Sequence, residues 1–189
     1  MSRPRILVLY GTTDGQTATI ARALADTLAL DGAAVDVVDA ASREADPADY
    51  DGIVVAASIH AGGYQRTVRR WVRRYARILD GKPTAFVSVC LAVLQRDDPQ
   101  VQHELAMIVD RFLTGVDWTP GITKSVAGAL PYSQYNWVKR WVMKRIVRKA
   151  GGDTDTTRDY EYTDWADVRA FAQRFSRLVR ERGPSRRVA

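Results

Sequence analysis

At 189 residues, with 46% apolar and 26% charged side chains, the chain is long enough for one well-buried core and too apolar to be disordered. A single cysteine, Cys90, excludes an internal disulfide; no apolar run reaches the roughly 18 residues a bilayer span needs, and residues 1–5 lead straight into a strand pattern, so no secretory leader is expected. The formal charge of +6 is uneven: residues 61–80 carry six basic side chains against one acidic, and residues 135–150 carry six against none, a field for anionic lipid, nucleic acid or an acidic ligand unless both are simply solvated helix faces.

In chain order, "RILVLY" (5–10) reads as a first strand. The pattern "QTATIARALADTLAL" (16–30) reads as a helix with Ile20, Leu24 and Leu28 on one stripe. "AAVDVVDA" (33–40) and "DGIVVAAS" (51–58) are the next strands. The segment 65–79 is strongly two-faced: Val68, Trp71, Val72, Tyr75, Ile78 and Leu79 on one side, Arg66, Arg69, Arg70, Arg73, Arg74 and Arg77 on the other. "PTAFVSVC" (83–90) is a fourth strand. A third helix, 99–113, buries Leu105, Ile108, Val109 and Phe112. "ITKSVAGAL" (122–130) is a fifth strand, and a last helix over 164–182 opens after Thr163, read as its N-cap. Near-continuous apolar runs predict strands buried on both faces.

Alternating strands and helices predict βαβ units, a parallel five-stranded sheet and a three-layer α/β sandwich. Ligands of such sheets bind off the carboxyl ends of the strands, which singles out the loops 11–16, 58–64, 90–98 and 130–134. Residues 1–182 read as one domain and 183–189 as a flexible tail. Residues 131–163 are too long for an ordinary connection and read as an insert holding a helix over about 134–150, closed by Gly151 and Gly152.

The first loop, "YGTTDGQT", has backbone donors, a helix start and the hydroxyls of Thr12, Thr13 and Thr17 around Gly15. These suit a phosphate monoester held by neutral donors, or an ordinary capped βα turn. It has neither the G-x-G-x-x-G of dinucleotide binders nor the terminal Gly-Lys-Ser/Thr of a Walker loop. Asp14 is expected to cap the following helix rather than touch the anion. "GGDTDT" (151–156) has too few carboxylates for calcium and reads as a turn, so no metal is expected.

The stretch "YGTTDGQTATIA" resembles the T-x-T-G-x-T phosphate loop of flavodoxins. "DGIVVAASIHAGGYQRTVRRWV", "KPTAFVSVCLAV" and "AGALPYSQYNWVKRWVMKRIVRKAGGDTDTTRDYEYTDW" resemble successive segments of the flavodoxin-like, menaquinone-dependent protoporphyrinogen oxidases, over about residues 5–178. The resemblance implies a flavodoxin-like sandwich with an inserted basic helix before the last helix. It implies FMN as cofactor and oxidation of protoporphyrinogen IX to protoporphyrin IX, as in heme biosynthesis, with electrons passed to menaquinone or another quinone.

It further implies an FMN-phosphate loop of Thr12, Thr13, Asp14, Gly15, Gln16 and Thr17. One flavin edge would be lined by Ser58, Ile59, His60, Ala61 and Gly62, and a second by Cys90, Leu91, Ala92 and Val93. Gly62 and Gly63 are expected to supply the positive φ values of the first edge loop. His60 reads as an exposed loop histidine rather than a general base, and Cys90 as a small buried hydrophobe. The chemistry would be flavin-borne, with no protein catalytic residue.

On the insert helix Arg140, Lys144 and Arg148 form one row and Val138, Val142 and Ile146 another, roughly opposite, with Trp137 and Trp141 flanking the apolar side. Such a helix suits a membrane interface or a solvated face on its own domain. The resemblance favours a substrate-lining or membrane-facing role. The expected setting is cytoplasmic, held peripherally on the inner face of an anionic membrane. No nucleic-acid motif appears, and a homo-oligomer stays open. Two other functions share the fold: a flavodoxin-type electron carrier, disfavoured by the basic charge, and an NAD(P)H:quinone reductase.

Overall fold

The computed structural model describes residues 3–42, 45–130 and 160–182. Five parallel strands form the sheet in the order β2-β1-β3-β4-β5: β1 (Arg5–Gly11), β2 (Ala34–Asp39), β3 (Gly52–Ser58), β4 (Thr84–Val89) and β5 (Ile122–Val126). Helices α1 (Gln16–Leu30), α2 (Arg66–Asp80), α3 (Pro99–Val116) and α4 (Trp165–Arg182) alternate with them or follow. The α/β class and the five-stranded parallel sheet are therefore as expected.

The register explains which residues meet which helix. Along β1, Ile6 and Val8 face α1 and α4, in a cluster with Ile20, Leu24, Leu28 and Phe175. Leu7 and Leu9 face the other way, with Val68, Trp71, Phe86 and Phe112 under α2 and α3. This is the period-2 alternation of a strand buried on both sides. The central strands β1, β3 and β4 are almost wholly buried, whereas β2 and β5 each leave two positions exposed. The expectation of two-sided burial thus fails at β2 and β5, because each has a neighbour on one side only.

Three boundaries also differ. The run 122–130 is broken: β5 ends at Val126, and Ala129–Leu130 (β6) pairs antiparallel with Tyr160–Glu161 (β7) in a separate two-stranded ladder. The cap of α4 is Asp164, whose Oδ1 accepts from Ala166 N–H and Asp167 N–H, both at 3.0 Å; the Thr163 hydroxyl instead donates to the Ala127 carbonyl at 2.9 Å. The cap of α1 is Gly15, at φ 91°, not Asp14.

Strand order reverses beside β1. The chain leaves β1 for α1 and β2 on one side, and leaves β3 for α2 and β4 on the other. The two connections depart to opposite faces, so a crevice opens between their loops at the carboxyl edge of the sheet.

Candidate functional site

Three loops meet at that edge. In the first, the Thr12 hydroxyl accepts from Gly15 N–H at 2.9 Å, which ties the loop into a tight turn and leaves the Thr12 proton to donate outward. Gly15 takes the left-handed conformation, and the chain then enters α1. Ala18 N–H already donates to the Gly15 carbonyl at 3.0 Å, which leaves the N–H groups of Gln16 and Thr17 at the open end of α1, where the helix dipole is positive. Thr17 is 1% exposed, and its hydroxyl has no partner among the described residues. A buried, unsatisfied hydroxyl in the first turn of a helix is costly unless a ligand oxygen meets it.

Gln16 does not turn its side chain into this loop. Its Nε2 donates to Glu161 Oε1 at 2.8 Å and to Thr163 Oγ1 at 2.9 Å. Its contribution to an anion is therefore limited to the backbone. The same pair of bonds fastens the first loop to the strand β7 and the segment just after it.

The second loop follows β3. Ile59 N–H donates to the Val89 carbonyl at 2.9 Å, which extends the sheet by one bond. His60 and Gly63 then form a small antiparallel bridge, with bonds of 2.8 and 3.1 Å. Between them Ala61 has φ 49° and Gly62 φ 76°. Two successive positive φ values are the mark of a type I′ turn. Gly62 serves as expected, but the other left-handed residue is Ala61, not Gly63. His60, Ala61 and Gly62 are all exposed at the loop tip.

Behind this turn Tyr64 is buried, and its hydroxyl donates to Ser88 Oγ at 2.7 Å. Tyr64 also packs against Phe86 and Phe112, with ring centroids 5.2 and 4.7 Å away. Burial drives its pKa up to about 12, against a smaller opposing effect of the Ser88 bond.

The third loop follows β4. Cys90 N–H donates to the Val126 carbonyl at 3.0 Å, and residues Leu91–Leu94 form a single 3₁₀ turn. Cys90, Leu91, Ala92 and Val93 are half-buried, so Cys90 is less enclosed than its sequence context suggests. Burial still raises the Cys90 thiol, which argues against a reactive thiolate. Asp98 then caps α3 through Gln100 N–H and Val101 N–H.

The fold thus gathers Thr12–Thr17, Ser58–Gly62 and Cys90–Val93 at one edge. Trp137, Arg140, Trp141, Lys144 and Arg148 lie outside the described residues, as do the "GGDTDT" turn and the tail. Sequence reading missed Gln65, whose Nε2 donates to Ser58 Oγ at 2.7 Å and to Thr13 Oγ1 at 3.2 Å. A signal was present: glutamine is a poor N-cap, and at the cap of α2 its side chain makes no capping bond. It missed Glu161 as well, for which no local signal exists.

A parallel sheet ordered 2-1-3-4-5, with an anion-ready loop after β1 and two further loops after β3 and β4, defines the flavodoxin-like class. A family model described as a flavodoxin domain matches residues 7–157. Protoporphyrinogen IX dehydrogenase (quinone) of Escherichia coli K12 is 35% identical over 179 residues, covering 93% of this chain and 96% of that protein. The Leishmania major protein of the same name is 36% identical over 179 residues, covering 93% and 76%. The chain belongs to the flavodoxin-domain family and, within it, to the family of these protoporphyrinogen IX dehydrogenases. Among solved structures, a short-chain flavodoxin associated with a bacterial microcompartment superposes with a TM-score of 0.56 at 16% identity, covering 93% of this chain and 99% of that one. Oxidised flavodoxin 1 of Bacillus cereus gives 0.54 at 15%, covering 92% and 97%. These likenesses show the fold.

The flavodoxin domain implies FMN, and the residues present fit it. The unsatisfied Thr17 hydroxyl, the free Thr12 proton and the open first turn of α1 are neutral donors suited to a phosphate dianion.

Proposed function

We propose that this chain is an FMN-dependent, quinone-linked oxidase of protoporphyrinogen IX, producing protoporphyrin IX. When bound, FMN would supply the two-electron redox chemistry between substrate and quinone. The chain's part is to bind and orient. Thr12, Thr13, Thr17 and the backbone of Asp14, Gly15 and Gln16 would hold the phosphate. The backbone of Ser58–Gly62 and of Cys90–Val93 would flank the two edges of the ring. The type I′ turn at His60–Gly63 fixes the first of these loops by two internal hydrogen bonds, so little conformational freedom is lost on binding.

The observation that carries this reading is the buried, unsatisfied Thr17 hydroxyl at the start of α1, in a chain 35% identical to a protoporphyrinogen IX dehydrogenase. The test is anaerobic. Protein reconstituted with FMN should lose its flavin absorbance on addition of protoporphyrinogen IX and regain it with a menaquinone analogue. Flavin that ignores the porphyrinogen and is reduced by NADPH would move the protein to the quinone reductases.

We also place the protein on an anionic membrane surface. The exposed arginines Arg66, Arg69, Arg70 and Arg77 support this, since none makes an ion pair among the described residues. Among those residues no helix is long and apolar enough to cross a membrane. Each arginine near an anionic leaflet adds on the order of 1 kcal/mol. Co-sedimentation with vesicles rich in anionic phospholipid, lost in neutral vesicles and at high salt, is the expected result.

A further inference from the structure

Gln65 occupies a place the proposed reaction does not by itself explain. Its amide nitrogen spans two loops, reaching Ser58 Oγ at the end of β3 and Thr13 Oγ1 in the loop after β1. Its other amide atom, Oε1, is buried and has no partner among the described residues. An acceptor left unmet inside a protein opposes stability, so the side chain is held there by what its nitrogen does. Room for it comes from Gly11: a Cβ at that position would lie 3.2 Å from Gln65 Oε1 and 2.4 Å from Val68 Cγ2. Reversing the amide would keep the link, because both hydroxyls can donate as well as accept.

We propose that Gln65 is a positioning residue that sets the spacing between the phosphate loop and the first ring-edge loop. This inference rests on the FMN reading. Gln65 need not touch the cofactor. A ligand that uses only one loop gains nothing from the brace. A ligand that spans both gains affinity from their fixed separation, because its second contact is made intramolecularly once the first has formed. FMN spans both loops; riboflavin lacks the phosphate, and inorganic phosphate lacks the ring.

The experiment compares three ligands on apoprotein, by flavin fluorescence quenching for FMN and riboflavin and by calorimetry for phosphate. Gln65→Met keeps the side-chain length and removes both donors. Its FMN affinity should fall about tenfold, the equivalent of one net hydrogen bond. Riboflavin and phosphate should each stay within about twofold of wild type, since neither binds across the brace. Gln65→Leu removes the same two donors with a different side-chain shape, so it should give the same FMN-selective loss. It also carries the comparison alone if Gln65→Met does not fold. Equal losses for all three ligands, or undiminished FMN binding in both variants, would overturn the inference while leaving the FMN reading intact. Wild-type protein that takes up no FMN would end both.

Discussion

The two faces of the sheet are filled by different chemistry. Under α1 and α4 the core is aliphatic, closed by Phe171 and Phe175, with no tyrosine or tryptophan among its fully buried members. Under α2 and α3 it is aromatic: Tyr50, Tyr64, Trp71, Phe86, Phe112 and Trp118. The first face only has to be filled. The second also has to be aligned, because the loop after β3 runs through Tyr64 into α2. Aromatic rings meet at defined angles, and Tyr64 and Trp71 add polar ends with single partners, Ser88 Oγ and the Ala45 carbonyl. The loops after β3 and β4 are therefore built on the more directional face, while the first loop feeds α1 on the aliphatic one.

The largest effects should come from removing the ring at the centre of each face. Phe86→Ala and Phe175→Ala each delete a side chain that is 0% exposed. Each should lower stability by about 3–5 kcal/mol in chemical denaturation. Only Phe86→Ala should also weaken flavin binding, because Phe86 lies edge-on to Tyr64 and stacks on Phe112 at 5.1 Å. Equal flavin loss in both variants would mean that the faces are not functionally distinct.

A finer comparison uses two glycines. A Cβ at Gly52 would come within 2.6 Å of Val179 Cγ2, on the aliphatic face. A Cβ at Gly11 would come within 2.4 Å of Val68 Cγ2, on the aromatic face. Each glycine lets a helix valine sit against the strand backbone, and alanine at either should destabilise by about 1–3 kcal/mol through overpacking. Gly11→Ala presses on Gln65 as well, so FMN affinity should drop there and hold in Gly52→Ala. Thermal midpoints and flavin titrations on the two variants separate packing from binding.

The smallest expected effect concerns pH. Tyr64→Phe leaves the buried Ser88 hydroxyl without its donor and should cost about 1–2 kcal/mol at neutral pH. Tyr64 has a folded pKa of about 12 against the ordinary 10.0, so the fold prefers its neutral form. That contribution is fully present below pH 10.0 and is lost as pH rises toward about 12, where the unfolded chain ionises first. Wild type should lose stability faster than Tyr64→Phe over that interval, as measured by urea midpoints. Parallel slopes would show that Tyr64 titrates normally.

The sequence made the sheet legible because its strands are apolar runs and its helices are two-faced, both local signals. The first loop was legible for the same reason: three threonines and a glycine lie within six residues. What escaped was set by contacts between distant segments. Gln65 acts through Thr13, 52 positions away, and Gln16 through Glu161, 145 positions away. No window along the chain contains such a pair. The split of 122–130 escaped because the pairing of Ala129 and Leu130 with Glu161 and Tyr160 is decided across the fold. Ala61 escaped because alanine gives no warning of a left-handed backbone, which a tight turn imposes on it.

The two-residue ladder of β6 and β7 has one more consequence. The chain departs at Leu130 and returns at Tyr160, directly opposite one another. Whatever segment lies between has its ends already joined. Doubling the length of such a segment adds only about 0.6 kcal/mol of closure entropy. The ladder lies outside the five-stranded sheet and both core clusters, so it works as a port. Lengthening the segment there should leave the thermal midpoint of the scaffold nearly unchanged.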